Sequence, residues 1–345
     1  MNNILIKADN LDGLRFLIEK KKLSGKIDLV YIDPPFATND IFLLSEDRRS
    51  TISRSTNGRI AYTDKLLGDE YLLFLEQRLV LLKELLSDRG SIYLHIDYKI
   101  GHYVKILMDK VFGINNFRND ITRIKCNPKN FHRIGYGNIK DLILFYSKQD
   151  SPIWNEPYTP YTDKDIQTLF PKIDSQGRRY TTVPLHAPGE TKNGKTSDNF
   201  KGLEPPVGRH WRTDVDTLSL WDEQGIIEWS SNGNPRKKIF ADQKIGKRRQ
   251  DVWEFKDPQY PQYPTEKNIK LLEAIISTSS NPSSYVLDCF SGSGTTLVAA
   301  QKLGRNWIGI DSSEFAINIA IERIRKLQAK HASNPQNFEY LEIIP

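Results

Sequence analysis

Cysteine is scarce in this sequence, with Cys126 and Cys289 the only two among 345 residues. Two cysteines do not make the disulfide framework of a small secreted protein, and no cluster of cysteine and histidine has zinc-site spacing. Long apolar runs are also missing, since no stretch approaches the ~18 residues that a membrane span needs. The first residues lack a basic segment followed by an apolar one, so no signal peptide is predicted. We therefore expect a cytoplasmic protein without a membrane span or a bound metal.

Charge is moderate overall and concentrated in one segment. The chain has 49 lysine and arginine residues against 43 aspartate and glutamate residues, a formal net charge of +6. Residues 231–250 contain one acidic residue, Asp242, and the following basic residues: Arg236, Lys237, Lys238, Lys244, Lys247, Arg248 and Arg249. Such a segment either contacts an anionic partner or forms a solvated basic loop, and both interpretations stay open.

Strand and helix patterns alternate at both ends of the chain and weaken between them. Residues 1–117 and 262–345 carry short apolar runs separated by amphipathic helical segments, which predicts a parallel sheet with helices on its faces. Residues 118–261 are richer in proline, glycine, asparagine and clustered charge, although 142–146 keeps a strand pattern. The polar, arginine-containing segment 38–62 is predicted to be a mobile loop. The chain is therefore expected to be an α/β protein with an inserted region.

A glycine-containing turn lies between a predicted strand and a predicted helix near the carboxyl terminus. It runs Ser291-Gly292-Ser293-Gly294-Thr295-Thr296. Glycines here let the backbone turn tightly and approach a ligand closely. Asp311 ends the next strand, about 20 residues on, where an acid accepts hydrogen bonds from ribose hydroxyls. The turn lacks the third glycine of a dinucleotide fingerprint and the lysine of a triphosphate loop, so it indicates a nucleoside ligand without a bound pyrophosphate.

A second motif, Asp33-Pro34-Pro35-Phe36, follows the apolar run 29–32. The carboxyl ends of strands in open α/β sheets face the crevice where ligands bind. Two prolines remove N–H donors and leave carbonyl acceptors. A carboxylate and a carbonyl held rigidly together suit an amino group that donates two hydrogen bonds, and Phe36 offers a flat face for stacking. The motif therefore predicts binding of the exocyclic amine of a nucleobase.

Both motifs resemble those of the amino-group DNA methyltransferases. Residues 33–36 are similar to the family's catalytic motif, and residues 288–296 to its S-adenosylmethionine-binding motif. The catalytic motif comes first, which resembles the circularly permuted β-class order. The resemblance implies a Rossmann-like S-adenosylmethionine-dependent methyltransferase sheet with a catalytic half (1–117), an inserted target-recognition region (118–261) and a cofactor half (262–345). These boundaries are approximate, and it stays open whether the strand 142–147 belongs to the inserted region or to the catalytic sheet. Residues 205–212 also resemble modification subunits of type III restriction systems, which are much longer proteins.

The resemblance implies positions for the cofactor-binding residues. Asp9 is expected near the cofactor adenine, Asp311 at the ribose, and Gly292 and Gly294 at the methionine portion. A segment similar to the family's Pro-Thr-x-Lys places Thr265 and Lys267 at the methionine end, where Lys267 offers a cation to the carboxylate. The remaining candidates implied by the resemblance are Asp288, Phe290 and Thr295.

The resemblance further implies methylation of the exocyclic N6 of adenine in double-stranded DNA, with the base flipped out of the helix. An acid at the position of Asp33 is typical of adenine enzymes, whereas serine is typical of cytosine-N4 enzymes. Cytosine-N4 methylation, an RNA substrate, a DNA-binding subunit without turnover and a small-molecule enzyme stay open as alternatives. A restriction-modification or related system with a cognate restriction endonuclease, and a homodimer, are partner arrangements that the resemblance also leaves open.

Overall fold

A computed structural model describes residues 3–35, 41–44, 59–63, 68–128, 132, 134–191, 194–258, 267–330 and 337–344. The chain divides into two compact units. The first unit combines residues 1–157 and 250–345, and the second unit comprises residues 158–249. Among the described residues, no helix combines the length and the apolarity needed to cross a membrane.

The strands and helices are numbered along the chain. The strands are β1 (Asn3–Lys7), β2 (Ile27–Ile32), β3 (Ile41–Leu44), β4 (Arg59–Thr63), β5 (Leu86–Ile96), β6 (Phe117–Ile124), β7 (Lys140–Ser147), β8 (Tyr158–Thr159), β9 (Lys172–Ile173), β10 (Arg179–Pro184), β11 (His186–Pro188), β12 (Arg209–Trp211), β13 (Ile227–Trp229), β14 (Pro235–Phe240), β15 (Lys247–Arg248), β16 (Val252–Glu254), β17 (Tyr285–Asp288), β18 (Asn306–Asp311) and β19 (Phe338–Glu342). The α-helices are α1 (Asn10–Glu19), α2 (Gly68–Leu85), α3 (Gly101–Phe112), α4 (Asp163–Leu169), α5 (Val215–Glu223), α6 (Ile269–Ser279), α7 (Thr295–Lys302) and α8 (Glu314–Lys330).

The described part of the first unit forms a nine-stranded sheet in the order β16-β6-β7-β5-β2-β17-β18-β1-β19. Most neighbouring strands are parallel, but β7 runs antiparallel to both β5 and β6. The sheet is therefore mixed, whereas the sequence pattern predicted a parallel one. The mixed character arises because β6 leads into β7 without a crossover helix, and strands joined in this way pair antiparallel.

Helices cover both faces of this sheet, as the alternating pattern predicted. One core cluster packs α1, α2 and α3 against the sheet, and a second packs α6, α7 and α8. The helix α2 shows why: Leu75, Leu79 and Leu82 recur at helical spacing and are fully buried. Strands covered on both faces have near-continuous apolar sequences, and the run 29–32 in β2 is fully buried in this way.

The second unit is smaller and built differently. It contains an antiparallel sheet in the order β13-β14-β10-β9 and two short strand pairs, β11 with β12 and β8 with β15. Its apolar cluster consists of five buried residues, which are Leu185, Phe200, Trp211, Leu218 and Ile227. This unit is narrower than the predicted region 118–261, because β6, β7 and β16 add to the sheet of the first unit.

The segment 38–62, predicted to be a loop, contributes the strands β3 and β4. These strands pair antiparallel, with Ile41 opposite Thr63 and Leu44 opposite Arg59. The prediction of a loop was therefore wrong for these two stretches, which form strands. The remainder of the segment lies outside the described residues.

Candidate active site

A cavity of about 420 Å³ lies in the first unit, where β1, β2, β17 and β18 end. Parallel strands place their carboxyl ends at one edge of a sheet, so motifs distant in sequence meet there. The lining includes the following predicted site residues: Asp9, Asp33, Pro35, Lys267, Asp288, Phe290, Gly292, Thr295 and Asp311. Pro34 and Gly294 neighbour the cavity in sequence without lining it. Phe36 and Thr265 lie outside the described residues.

The glycine turn depends on backbone conformations that other residues rarely adopt. Gly292 has a φ of 48° and Gly294 a φ of 76°. A Cβ atom on Gly294 would lie 2.8 Å from Ala320 Cβ, so α8 packs against the turn too closely for a side chain. The turn leads directly into α7, whose N-terminal cap is Gly294. Glycine is required here both for the left-handed backbone and for the close packing.

Asp311 ties the turn to the next strand. Its Oδ2 accepts a hydrogen bond from the Gly292 amide at 2.8 Å, and its Oδ1 accepts one from the Ser313 amide at 2.9 Å. Burial raises the pKa of Asp311, and these two amide donors oppose that effect. Each carboxylate oxygen retains a free lone pair, so Asp311 can also accept from two hydroxyl groups of a ligand.

Asp288 ends β17 at the floor of the cavity and is fully enclosed. Burial raises its pKa to about 7, although hydrogen bonds from the Phe290 amide and the Thr296 hydroxyl act to lower it. The Phe290 amide donates to Asp288 Oδ1 at 3.0 Å, and the Thr296 hydroxyl donates to Asp288 Oδ2 at 2.6 Å. Asp288 therefore holds Phe290, just before the glycine turn, and Thr296, in the first turn of α7.

Two aromatic rings line the cavity near Asp9, and Arg78 contacts one of them. The Asp9 side chain caps α1 by accepting from the Leu11 amide at 2.8 Å. The buried Arg78 guanidinium donates to Asp9 and to the Asn10 side chain, and lies 3.5 Å from the centre of the Phe74 ring. The Phe74 and Phe290 rings have centroids 6.2 Å apart and both line the cavity. These rings offer apolar faces for a flat heterocycle.

Asp33 sits where β2 ends, and its two carboxylate oxygens have different surroundings. Oδ2 lies 3.0 Å from Lys267 Nζ. Oδ1 is buried and has no hydrogen-bond partner among the described residues. It lies 3.9 Å from His95 Nδ1, which is beyond hydrogen-bond distance. A second cavity-lining oxygen, Ser291 Oγ, is likewise buried and unpartnered within the described ranges. Such orphaned polar atoms indicate positions where a ligand completes the hydrogen bonding.

His95 lies behind Asp33, within the sheet. Its Nδ1 is 3.0 Å from the Tyr31 hydroxyl, and its Nε2 is 3.2 Å from Asp141 Oδ2. Burial lowers the pKa of His95, so the ring is neutral. A neutral ring that donates from Nε2 to Asp141 accepts from the Tyr31 hydroxyl at Nδ1.

Sequence reasoning missed several residues of this site. They are Tyr31, Phe74, Arg78 and His95. None of them belongs to the catalytic motif or the cofactor motif. Phe74 reaches the cavity, and Arg78 reaches Asp9, because α2 packs beside α1. The one available signal was Arg78, a charged residue on the predicted apolar face of a leucine-rich helix.

The family model of the DNA methylases that act on N6 and N4 amino groups matches residues 27–322. The type II methyltransferase M.EcaI of Enterobacter cloacae is 40% identical over 330 residues, covering 93% of this chain and 69% of that protein. The EcoP15I Mod subunit of Escherichia coli, from a type III restriction-modification enzyme, is 26% identical over 357 residues. That match covers 85% of this chain but 55% of the Mod subunit, so the chain spans little more than half of that relative.

Among solved structures, the Thermus thermophilus protein TTHA0409, in complex with S-adenosyl-L-methionine, shares the fold. The match has a TM-score of 0.51 and 14% identity, and covers 99% of each chain. The family model and the 40% identical relative confirm the predicted resemblance to amino-group DNA methyltransferases. The chain belongs to the N6/N4 DNA methylase family, whose members are S-adenosylmethionine-dependent DNA methyltransferases.

Proposed function

We propose that this chain transfers a methyl group from S-adenosylmethionine to the exocyclic N6 of adenine in double-stranded DNA. The observation that carries the proposal is the buried, unpartnered Oδ1 of Asp33 at the edge of the cavity. An acceptor in that position needs a donor from outside the protein, and an exocyclic amine supplies one. The choice of adenine rests on the acid at position 33, since the resemblance associates serine there with cytosine-N4 enzymes.

The cavity residues fit S-adenosylmethionine, which supplies an electrophilic methyl group when bound. Asp311 has the spare acceptor capacity that two ribose hydroxyls require. Phe74 and Phe290 offer faces to the adenine ring, beside Asp9. The unpartnered Ser291 hydroxyl and the glycine turn leave polar contacts for the methionine portion. We assign the cofactor to this cavity on these grounds.

The reacting base must leave the helical stack, because its amine cannot reach a buried methyl donor inside the duplex. Asp33 Oδ1 and the Pro34 carbonyl accept hydrogen bonds from the two N–H bonds of the amine. These acceptors draw the lone pair of the nitrogen out of conjugation with the ring, which makes it a better nucleophile. Asp33 then holds the proton that the methylated nitrogen releases. Positioning and fixed charges supply most of the acceleration in such a site.

We further propose that the second unit is the target-recognition region of a permuted, Rossmann-like methyltransferase. In support, the Asp33 motif precedes the glycine turn in the chain, and the two motifs follow neighbouring strands, β2 and β17. The second unit is inserted in the chain between them, after β7 and before β16. Its basic segment, 236–249, would contact DNA phosphates, which position a protein without reading sequence. The names of the relatives support a place in a restriction-modification system. We propose a cognate endonuclease and a second copy of the chain as partners.

The test is mass spectrometry of nucleosides after incubation with mixed-sequence duplex DNA and S-adenosylmethionine, with Asp33→Ala as the control. We expect N6-methyladenine from the wild type and none from the variant. N4-methylcytosine would overturn the choice of base and keep the fold. No methylated nucleoside, with the cofactor still bound, would contradict the proposed activity.

A further inference from the structure

Lys267 lines the cavity and makes a contact that the resemblance does not imply. The resemblance implies that it offers its charge to the methionine carboxylate. In the structure its Nζ lies 3.0 Å from Asp33 Oδ2, and the two side chains are 11% and 17% exposed. Lys267 directly precedes Asn268, the cap of α6, so the start of that helix carries the ammonium group to the end of β2.

This contact gives the two oxygens of Asp33 separate tasks. Oδ2 is held by the ammonium group, while Oδ1 is buried and unpartnered within the described structure. The nearest ring nitrogen, His95 Nδ1, is bonded to the Tyr31 hydroxyl and does not donate to Oδ1. Oδ1 is thus the oxygen left for an amine of the substrate.

The ammonium group also determines where Oδ1 lies. A contact of 3.0 Å between two side chains with little exposure fixes the rotation of the Asp33 carboxylate. Oδ1 therefore keeps one position, from which it can accept a hydrogen bond from the N–H of an amine.

We propose that Lys267 is a positioning residue for methyl transfer, which acts through Asp33 and contributes little to cofactor affinity. This role rests on the proposed function. In this role Lys267 helps to position the amine of the substrate, although it lies in a segment that the resemblance links to the cofactor.

The experiment compares Lys267→Met and Lys267→Arg with the wild type in two assays. Calorimetric titration measures S-adenosylmethionine affinity without any need for turnover. Single-turnover methylation of duplex DNA at saturating cofactor measures the rate of transfer. Lys270→Met, on the exposed surface of α6 one turn further on, is the matched control.

We expect the Lys267→Met protein to bind the cofactor within about threefold of the wild type. Its single-turnover rate should fall about 100-fold, the size of effect that misplacing a reacting group produces. Lys267→Arg keeps a cation beside Asp33 and should recover part of that rate, and Lys270→Met should match the wild type in both assays. Because Lys267→Arg preserves the charge, it keeps the comparison valid if Lys267→Met does not fold.

Two results would overturn this role while leaving the proposed function intact. One is a loss of cofactor affinity of about 30-fold or more with a normal rate at saturation, which would make Lys267 a cofactor ligand. The other is a Lys267→Met enzyme with wild-type affinity and wild-type rate. A wild-type chain that binds the cofactor and methylates no base would instead overturn the proposed function, and this role with it.

Discussion

The two units place their charged groups in opposite environments. In the first unit, Asp288 and His95 are buried and held by hydrogen bonds at or near strand ends. In the second unit, the residues of the basic segment are mostly exposed or half-buried on a small antiparallel sheet and its loops. The buried charged groups of the first unit are supported by the large sheet, whereas the basic segment, which we propose as a DNA contact, lies on short elements with few buried neighbours.

Several cations of the basic segment already have partners within the second unit. Lys247 pairs with Asp165 at 2.8 Å, and Lys237 lies 3.2 Å from the centre of the Trp221 ring. Lys238 donates to the Gly225 carbonyl at 2.9 Å. Part of this charge therefore stabilises the second unit itself. The net charge of the segment overstates the number of side chains that are available to contact phosphates.

A change in the glycine turn of the first unit is expected to have the largest effect on stability and on cofactor affinity. Gly294→Val places a branched side chain on a left-handed backbone and too close to Ala320. It should lower the free energy of unfolding by about 3 kcal/mol. S-adenosylmethionine affinity should fall about 100-fold or more, because the turn shapes the cavity. Thermal unfolding and calorimetric titration measure the two effects.

The control for that change is Gly304→Val. Gly304 has a similar φ of 71°, but nothing lies within 4 Å of the position of an added Cβ. It should lose only the backbone component, about 1 to 2 kcal/mol, and keep its cofactor affinity. Equal losses of affinity in the two variants would show that general destabilisation, and not the close packing at Gly294, is responsible.

A smaller effect concerns the pH dependence of stability in the first unit. Burial raises the pKa of Asp288 from 3.8 to about 7. Between these values the folded state binds more protons than the unfolded state, so the free energy of unfolding falls as pH rises. This contribution is complete below pH 3.8 and is lost as pH rises through 7, with a slope of at most about 1.4 kcal/mol per pH unit.

Asp288→Asn removes this titration, so its free energy of unfolding should depend less on pH than that of the wild type. Urea denaturation between pH 5 and pH 8, without cofactor, measures the difference. The same pH slope in both proteins would contradict a raised pKa at Asp288.

The smallest effect is expected on the surface of the second unit. Lys244 is exposed and lies in the basic segment. If the segment contacts phosphates, Lys244→Ala should reduce the slope of log affinity against log salt for duplex DNA by about 1, without changing cofactor affinity. Lys164→Ala, an exposed lysine of α4 outside the segment, should leave the slope unchanged. Equal slopes for Lys244→Ala and the wild type would argue against the segment as a DNA contact.

The sequence predicted the parts of the first unit that depend on local patterns. The ends of β2, β17 and β18 follow from apolar runs, and side chains at the ends of neighbouring parallel strands meet in space. The partner of Lys267 could not be predicted, because its contact with Asp33 depends on where α6 begins relative to β2. The same limit applies to Phe74 and Arg78, because helix packing brings Phe74 to the cavity and Arg78 to Asp9.

The boundary of the second unit was harder to predict for a related reason. The composition shift at residue 118 is real, yet β6 and β7 belong to the large sheet. Antiparallel strands joined without a helix interrupt the alternating pattern that identifies the rest of that sheet. Pairing between β16 and β6, which are far apart in the chain, is also absent from any local pattern.

The central claim is that one cavity holds the cofactor while Asp33 acts on the amine of the base. Asp33→Ala tests it most directly, with calorimetric titration of S-adenosylmethionine and single-turnover methylation measured on the same preparation. We predict cofactor affinity within about threefold of the wild type and a transfer rate lower by about 1,000-fold or more. Methylation at the wild-type rate would contradict the claim, as would a loss of cofactor affinity large enough to explain the loss of rate.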